Sequence, residues 1–164
     1  MTRLKYYFSI SFRLLWWLYN FPKFRNLGLG TRFFSTIKIT PKYISCGCRV
    51  IVWKHGRIEG INQYNNQFFN PLIVLNDRVT IQQNVHITCA SSIIIGQNTA
   101  IAANVTITDI HHPYEDITIP IERQNTRTNA VTIGENCKIY NNAVILPGTK
   151  IGNHTTIGAN SVVC

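Results

Sequence analysis

Aliphatic residues recur at every sixth position over the C-terminal half of the chain. From Ile133 onwards the sequence divides into IGENCK, IYNNAV, ILPGTK, IGNHTT, IGANSV and VC, with an aliphatic first residue and a small fifth residue in each full unit. The same template fits upstream, with first positions at Leu75, Ile81, Ile87, Ile95, Ile101 and Ile107. Residues six apart lie on opposite sides of an α-helix, so this spacing excludes an amphipathic helix. A repeat at a fixed period indicates a solenoid.

The six-residue period predicts a triangular prism of stacked parallel strands. Each hexapeptide provides a short strand and a corner, so three hexapeptides close one turn. The aliphatic first residue fills the interior, and the small fifth residue allows the next corner to bend inward. Stacked parallel strands lie about 4.8 Å apart, and each turn needs its neighbours to pair with. The twelve hexapeptides from Leu75 to Val163 therefore predict four turns.

The segment IGENCKIYNNAVILPGTKIGNHTTIGANSVV closely resembles the hexapeptide-repeat acyltransferases. It is most similar to the sugar O-acetyltransferases of bacterial surface polysaccharides, of the colanic-acid and O-antigen type, and more distantly to maltose and galactoside acetyltransferases. The resemblance covers about residues 70–164. It implies a left-handed parallel β-helix that uses acetyl-CoA as co-substrate. It also implies a homotrimer in which the coenzyme lies in a groove between neighbouring prisms.

The period is interrupted twice, and both interruptions fall at the same corner of the predicted prism. After Ile87 the next repeat begins eight residues later, and after Ile107 it begins twenty-six residues later, at Ile133. This predicts an extruded loop over residues 108–130, directly above a smaller bulge in the turn below. Loops on a rigid scaffold are common places for binding and catalysis.

The extruded loop contains the candidate catalytic residues. Imidazole gains and loses a proton near neutral pH, which suits removal of a proton from a sugar hydroxyl. In the resembling family, a histidine of this loop followed by Pro or Gly acts as that base. His112, which precedes Pro113, matches that position, and His111 is its neighbour. Asp109 and Glu115 are candidates for orienting the imidazole.

The resemblance also suggests residues that bind the two substrates. An acceptor-contacting asparagine of the relatives corresponds here to Gln82, with Asn84 close by. Glu115 and Arg123 of the loop are further acceptor candidates. Relatives often have V-W-I-G where this chain has Cys137, Lys138, Ile139 and Tyr140, so Lys138 could meet the coenzyme phosphates in place of the tryptophan contact. The coenzyme candidates are Lys138, Tyr140, Asn141, Ala159, Asn160 and Cys164.

The basic residues are concentrated towards the N-terminus. Residues 1–58 contain eleven Lys or Arg and no acid, whereas residues 59–164 contain five bases and seven acids. A basic region confined to one end favours anionic lipid over nucleic acid as a partner. The charge distribution and the hydrophobic pattern together predict a basic amphipathic segment over residues 1–30 and a β-helix domain over residues 31–164.

Within the segment 1–30, apolar and polar residues separate onto two faces of a predicted helix. The apolar face carries Tyr7, Ile10, Leu14, Trp17, Leu18 and Phe21, and the polar face carries Lys5, Ser9, Arg13 and Asn20. Arg13 interrupts the apolar run, which argues against a signal peptide or a spanning helix. Two interpretations stay open: residues 3–21 contact the inner face of the cytoplasmic membrane, or the helix caps the domain or packs on a partner subunit.

Residues 31–74 alternate weakly between apolar and polar positions. FFSTIKITPKYI and GCRVIVW resemble strands and could form irregular first turns of the prism. The following NQYNNQFFNP predicts a connecting loop.

The five cysteines are odd in number and include no C-x-x-C pair, which favours free thiols in a reducing cytoplasm. Cys89 could carry an acetyl group in a two-step mechanism, although a small apolar corner residue is the simpler interpretation. His86, His111 and His112 lack the histidine spacing of the carbonic anhydrases that share this fold, so no metal is expected. The leading hypothesis is a cytoplasmic, acetyl-CoA-dependent O-acetyltransferase. A non-enzymatic β-helix scaffold and an inactive, truncated acyltransferase are the alternatives.

Overall fold

The structure is a computed structural model that describes residues 14–164. In this part of the chain, three parallel sheets of six strands each form the walls of a triangular prism. The first sheet contains β1 (Asn26–Leu27), β4 (Ile44–Cys46), β9 (Leu72–Leu75), β12 (Ser92–Ile95), β17 (Val131–Ile133) and β20 (Lys150–Ile151). The second contains β2 (Arg32–Phe33), β5 (Ile51–Val52), β10 (Thr80–Ile81), β13 (Ala100–Ile101), β18 (Lys138–Ile139) and β21 (Thr156–Ile157). The third contains β3 (Lys38–Ile39), β6 (Arg57–Gly60), β11 (His86–Cys89), β14 (Thr106–Thr108), β19 (Val144–Ile145) and β22 (Val162–Val163).

The aliphatic repeat positions stack into continuous columns inside the prism. In the second sheet, Ile81 is in register with Ile101, Ile101 with Ile139, and Ile139 with Ile157. The first three of these side chains are completely buried, whereas Ile157 in the last turn is half-buried. This is the arrangement that the six-residue period predicts, since each isoleucine packs against those one turn above and below.

The stack has six turns in the described residues, two more than the regular repeats predict. The extra turns are formed by residues 26–39 and 44–60, which confirms that the irregular N-terminal strands belong to the prism. The stack begins at Asn26, five residues before the boundary at residue 31 that the sequence suggests. The interior positions of these turns are less regular, with Phe33 and Cys46 in place of the usual aliphatic residue and a step of seven residues from Ile39 to Cys46.

Asparagine and glycine make the tight corners possible. Asn84, Asn104, Asn142 and Asn160 all have left-handed backbones, with φ between 58° and 61°, a conformation that asparagine tolerates well. Their side-chain amides form a ladder up one corner, each donating to the next at 3.0–3.2 Å. At another corner Gly134 lies so close to the next turn that a Cβ there would be 2.5 Å from the Asn153 side chain.

A helix over residues 14–20 covers the N-terminal end of the prism, followed by a 3₁₀ helix at Phe21–Lys23. The Trp17 indole packs on the core and donates to the carbonyls of Leu27 at 3.0 Å and Gly28 at 3.1 Å. Leu15 and Leu18 remain exposed to solvent. The helix therefore caps the domain and still presents an apolar surface. Residues 1–13, with the rest of the predicted amphipathic stripe, lie outside the described residues. From residue 14 onwards no helix has the length and apolar character needed to cross a membrane.

The remaining elements lie outside the prism walls. β7 (Gln63–Tyr64) and β8 (Gln67–Phe68) pair as an antiparallel hairpin, where the sequence predicted a connecting loop. β15 (Ile110–His111) and β16 (Arg127–Thr128) pair across the base of the long loop, which also contains a 3₁₀ helix at Ile121–Arg123. A further 3₁₀ helix spans Pro41–Tyr43.

Candidate functional site

Three successive turns differ in how they cross one corner of the prism, between the third sheet and the first. After β6 the second turn extrudes the hairpin, after β11 the third turn crosses directly through Ala90 and Ser91, and after β14 the fourth turn extrudes residues 109–130. The long loop and the smaller bulge thus lie at one corner, in the order that the interrupted period predicts. We call residues 61–71 the hairpin segment and residues 109–130 the long loop.

Asp109 fixes the start of the long loop to the turn below. Its carboxylate is completely buried and accepts the backbone N–H groups of Ala90 at 2.7 Å, Ser91 at 2.7 Å and Ser92 at 2.8 Å. Among its hydrogen bonds in the described chain, none reaches His111 or His112. Asp109 therefore holds the backbone of the bulge, and the structure shows it as an anchor of the long loop.

The two histidines have different surroundings. His111 lies in β15 opposite Arg127, is half-buried, and its ring centroid is 6.5 Å from that of Tyr114. His112 follows the strand, is exposed, and meets the Tyr64 ring edge-on with 5.4 Å between centroids. Consecutive residues leave an extended strand in opposite directions, so only one of the pair faces the hairpin segment. His112 is the more accessible base.

The charged residues of the long loop pair with one another on its surface. Glu115 accepts a hydrogen bond from Arg127 at 3.0 Å and another from the Tyr114 backbone at 3.0 Å. Hydrogen bonds from its own backbone, and then the charge of Arg127, hold the pKa of the Glu115 carboxyl below its ordinary value. Arg123 is exposed in the 3₁₀ helix. Glu115 has no described contact with either histidine, so the structure shows it as a partner of Arg127.

The hairpin segment braces the long loop through contacts that the sequence does not reveal. The Tyr64 hydroxyl lies 2.5 Å from the Glu122 carboxylate, and the Asn65 amide donates to the Glu122 carbonyl at 2.9 Å. Gln67 pairs with Thr126 in both directions, accepting its backbone N–H at 2.6 Å and donating to its carbonyl at 3.2 Å. The partners are 57 to 59 residues apart, so only the identical corner of the two extrusions could have indicated that they meet.

The acceptor candidates Gln82 and Asn84 lie elsewhere on the prism. Gln82 is half-buried just after β10 in the second sheet. Asn84 belongs to the asparagine ladder at the next corner and donates to Asn104 at 3.2 Å. The long loop and these residues do not come together within one protomer.

Most of the coenzyme candidates lie on the side where Gln82 lies. Lys138 is in β18 of the second sheet, with its ammonium 5.6 Å from the centroid of the exposed Tyr140 ring. Asn141 follows at the corner, and Ala159 and Asn160 occupy that corner one turn further on. Cys164 is exposed after β22. Together they form an exposed strip with one cation, amides and an aromatic ring, which suits a phosphate-bearing ligand.

Cys89 is unsuited to carrying an acetyl group. Its side chain is completely buried, with the sulfur 3.3 Å from the Asp109 carboxylate. Burial, and then the negative charge of Asp109, raise the pKa of this thiol. A thiol that stays protonated is a poor nucleophile, so the structure gives no support to Cys89 as an acetyl carrier. Between residues 14 and 164 no three His, Cys, Asp or Glu side chains cluster so as to hold a metal ion.

Stacked hexapeptides with one extruded corner define the class of protein, a parallel β-helix of the hexapeptide-repeat type. Residues 130–164 match the family described as bacterial transferase hexapeptide (six repeats). A hexapeptide-repeat-containing acetyltransferase of Vibrio cholerae, solved with acetyl coenzyme A, superposes with a TM-score of 0.58 at 21% identity, covering 90% of this chain and 64% of that one. The predicted resemblance and the predicted left-handed β-helix are confirmed.

Two curated relatives are similar in sequence. WbbJ of Escherichia coli K12, provisionally named as a lipopolysaccharide biosynthesis O-acetyl transferase, is 36% identical over 64% of this chain and 57% of WbbJ. The galactoside O-acetyltransferase of Escherichia coli K12 is 37% identical over 75% of this chain and 48% of that protein. The chain thus spans about half the length of the curated relatives it matches.

Proposed function

We propose that this protein is an acetyl-CoA-dependent O-acetyltransferase that modifies a sugar hydroxyl in bacterial surface polysaccharide. The observation that carries the proposal is the accessible His112 near the start of the long loop. Asp109 fixes the start of this loop to the prism, and the hairpin segment braces its outer part. The names of the two similar proteins, an O-acetyltransferase of lipopolysaccharide biosynthesis and one acting on galactosides, support the acceptor class.

In the proposed reaction His112 accepts the proton of the acceptor hydroxyl as its oxygen attacks the thioester carbonyl carbon. The tetrahedral intermediate expels the coenzyme A sulfur, which takes the proton back from the imidazolium. Backbone N–H groups near the thioester would stabilise the oxyanion, a contribution of about 3 kcal/mol for one donor in known cases. Acetyl-CoA would lie along Lys138, Tyr140, Asn141, Ala159, Asn160 and Cys164, with Lys138 facing its phosphates.

A complete site then requires two protomers. His112 projects from the corner between the third and first sheets, whereas Lys138 lies on the second sheet of the same prism. In a trimer with threefold rotational symmetry, a corner of one protomer packs against a different surface of the next protomer. The corner that bears His112 would then face the second sheet, with Lys138, of its neighbour. The tip of the long loop fits this arrangement, because Ile117 is 96% exposed there and a neighbouring protomer would cover it.

Transfer is tested by thiol release from acetyl-CoA across nucleotide sugars and lipid-linked glycans. We expect His112→Ala to lower kcat by about 10²–10⁴-fold, the usual contribution of a positioned base. The matched variant His111→Ala should lose less than tenfold, since that ring faces Tyr114. A larger loss for His111→Ala would assign the base to the neighbouring residue. No loss above tenfold in either variant would refute direct transfer.

Subunit sharing is tested by mixing two inactive variants. In a trimer that contains both variants, one interface combines the intact His112 of a Lys138→Glu protomer with the intact Lys138 of a His112→Ala protomer. When equal amounts mix at random, each of the two side chains at an interface is wild type in about half of the cases. About a quarter of the interfaces, and so about a quarter of the wild-type activity, should be restored. Light scattering should show the trimer in each preparation. A stable monomer, or no activity in any mixture, would contradict a shared site.

We also propose that the protein works at the cytoplasmic face of the inner membrane, through residues 3–21. Leu15 and Leu18 are exposed on the helix, and the exposed Lys23 and Arg25 follow it. Apolar residues beside bases favour binding to anionic bilayers. The full chain should sediment with phosphatidylglycerol vesicles, and Leu15→Glu/Leu18→Glu should not, while Phe68→Glu on the hairpin segment serves as the control. If Leu15→Glu/Leu18→Glu sedimented with the vesicles as well as Phe68→Glu does, the helix would only cap the domain and would not bind the membrane.

A further inference from the structure

The ring of Tyr64, in the hairpin segment, contacts His112 but takes no part in the reaction proposed above. The long loop is attached to the prism at its base through Asp109 and β15–β16. Beyond the base, the described side-chain contacts that join the loop to the rest of the molecule come from Tyr64, Asn65 and Gln67. Contacts from three residues of one two-stranded hairpin indicate a dedicated brace.

The stacking geometry explains how the hairpin reaches the loop. The two extrusions leave the same corner two turns apart, which corresponds to about 10 Å along the prism. The turn between them crosses that corner with only Ala90 and Ser91, whose side chains are small. The hairpin therefore folds across the intervening turn without meeting a bulky group. A long corner in the third turn would block this approach.

We propose that Tyr64 is a positioning residue for His112, and that Glu122 and Gln67 hold Tyr64 and the loop in place. The ring of Tyr64 meets the His112 imidazole edge-on at 5.4 Å, within the range of favourable aromatic pairs. Its hydroxyl is tied to the Glu122 carboxylate at 2.5 Å, which fixes the Tyr64 ring at its far end. Gln67 fixes Thr126, four residues further along the loop.

This arrangement restrains the His112 ring on one side and leaves its other surface open to solvent. An exposed imidazole without a partner samples several side-chain rotamers. Only a rotamer that points the basic nitrogen at the acceptor hydroxyl can take its proton, and selecting that rotamer costs conformational entropy. The Tyr64 contact removes part of that freedom before the acceptor arrives. The inference rests on the proposed role of His112 as the base, but the contact itself exists without it.

The kinetic test compares three variants of the full chain. Tyr64→Leu removes the ring and should lower kcat at least tenfold, with the KM for acetyl-CoA within twofold of wild type. Tyr64→Phe keeps the ring and should retain at least a third of kcat. Tyr114→Leu removes a more exposed tyrosine, on the long loop, that faces His111, and should stay within twofold. A fall in kcat without a change in KM separates positioning from a general loss of structure.

A second measurement does not need activity. In the wild type, NMR should show a nuclear Overhauser effect between the Tyr64 ring and the His112 ring protons, assigned with His112→Ala. Tyr64→Phe and Glu122→Ala both break the contact between the Tyr64 hydroxyl and the Glu122 carboxylate, so both should weaken the Overhauser effect to a similar extent, whereas Tyr114→Leu should preserve it. If the wild type transfers no acetyl group, the proposed function fails, while the Overhauser effect still decides whether Tyr64 orients His112. The inference is overturned if the effect is absent, or if Tyr64→Leu leaves kcat within twofold.

Discussion

Replacing Asp109 by asparagine removes the anchor on which the long loop depends. One carboxylate oxygen accepts the N–H of Ala90, and the other accepts those of Ser91 and Ser92, all at 2.7–2.8 Å in a fully buried site. Asparagine offers one oxygen and one NH₂ group in the same space. Whichever way the amide turns, at least one backbone N–H faces another donor.

The size of the effect follows from these bonds. A buried donor left without an acceptor costs about 1–3 kcal/mol, and hydrogen bonds to a charged acceptor contribute about 1.5–3 kcal/mol each. Asp109→Asn loses one bond outright and the charge on the others, so we expect unfolding free energy to fall by about 2–4 kcal/mol. Asp109→Ala strands all three N–H groups and should cost more.

Urea unfolding followed by circular dichroism, at one fixed protein concentration, measures the loss. Asp77→Asn is the matched control, because that carboxylate accepts a single N–H, from Cys48 at 2.8 Å, at an exposed corner. Its cost should stay below about 1 kcal/mol. Hydrogen exchange at Ala90, Ser91 and Ser92 should accelerate in Asp109→Asn only. A variant within about 0.5 kcal/mol of wild type, with these amides still protected, would refute the anchoring role.

Two further predictions concern the stability of the prism. Ile101→Ala empties a fully buried position and should cost about 2–5 kcal/mol, whereas Ile157→Ala in the half-buried last turn should cost less than half of that, as measured by urea unfolding. Acidification from pH 7 to pH 5 should destabilise the protein through His86, because burial, and then the charge of Arg57, lower its pKa and only Glu59 opposes them. The unfolded chain then binds the proton more readily, so stability falls as the pH drops through the ordinary histidine range. His86→Gln should flatten the pH dependence, and an unchanged slope would contradict this assignment.

The prism could be predicted from the sequence because the pattern that determines it lies within six residues and is repeated along the chain. The aliphatic residue at each sixth position determines the interior of the stack, and nine of the twelve positions are essentially completely buried. The position of both interruptions also followed, since counting in sixes assigns each residue to a wall or a corner. The pattern of the first two turns is weaker because Phe33 and Cys46 replace the aliphatic residue and the step from Ile39 to Cys46 is seven residues.

The role of Asp109 was within reach of the same counting. Thr108 is in register with Thr88, which places Asp109 beside Cys89 and the short bulge that follows it. A buried carboxylate at a position that faces backbone N–H groups is an anchor, whereas its neighbourhood in the sequence suggested chemistry. The register of the stack therefore predicts the anchoring contacts of Asp109, which its proximity to His112 in the sequence does not.

The brace from Tyr64 could not be predicted, because no pattern in the sequence links residues so far apart. A β-helix converts corner identity into spatial proximity, so segments extruded at the same corner in nearby turns meet whatever their separation along the chain. Segments at different corners stay apart within one prism, as His112 and Lys138 do. Where an insertion interrupts the repeat therefore decides which residues one protomer can bring together. In this chain the hairpin segment and the long loop share a corner, and Lys138 lies on a different wall, which is why we propose that the coenzyme side of the site comes from the surface of a neighbouring prism.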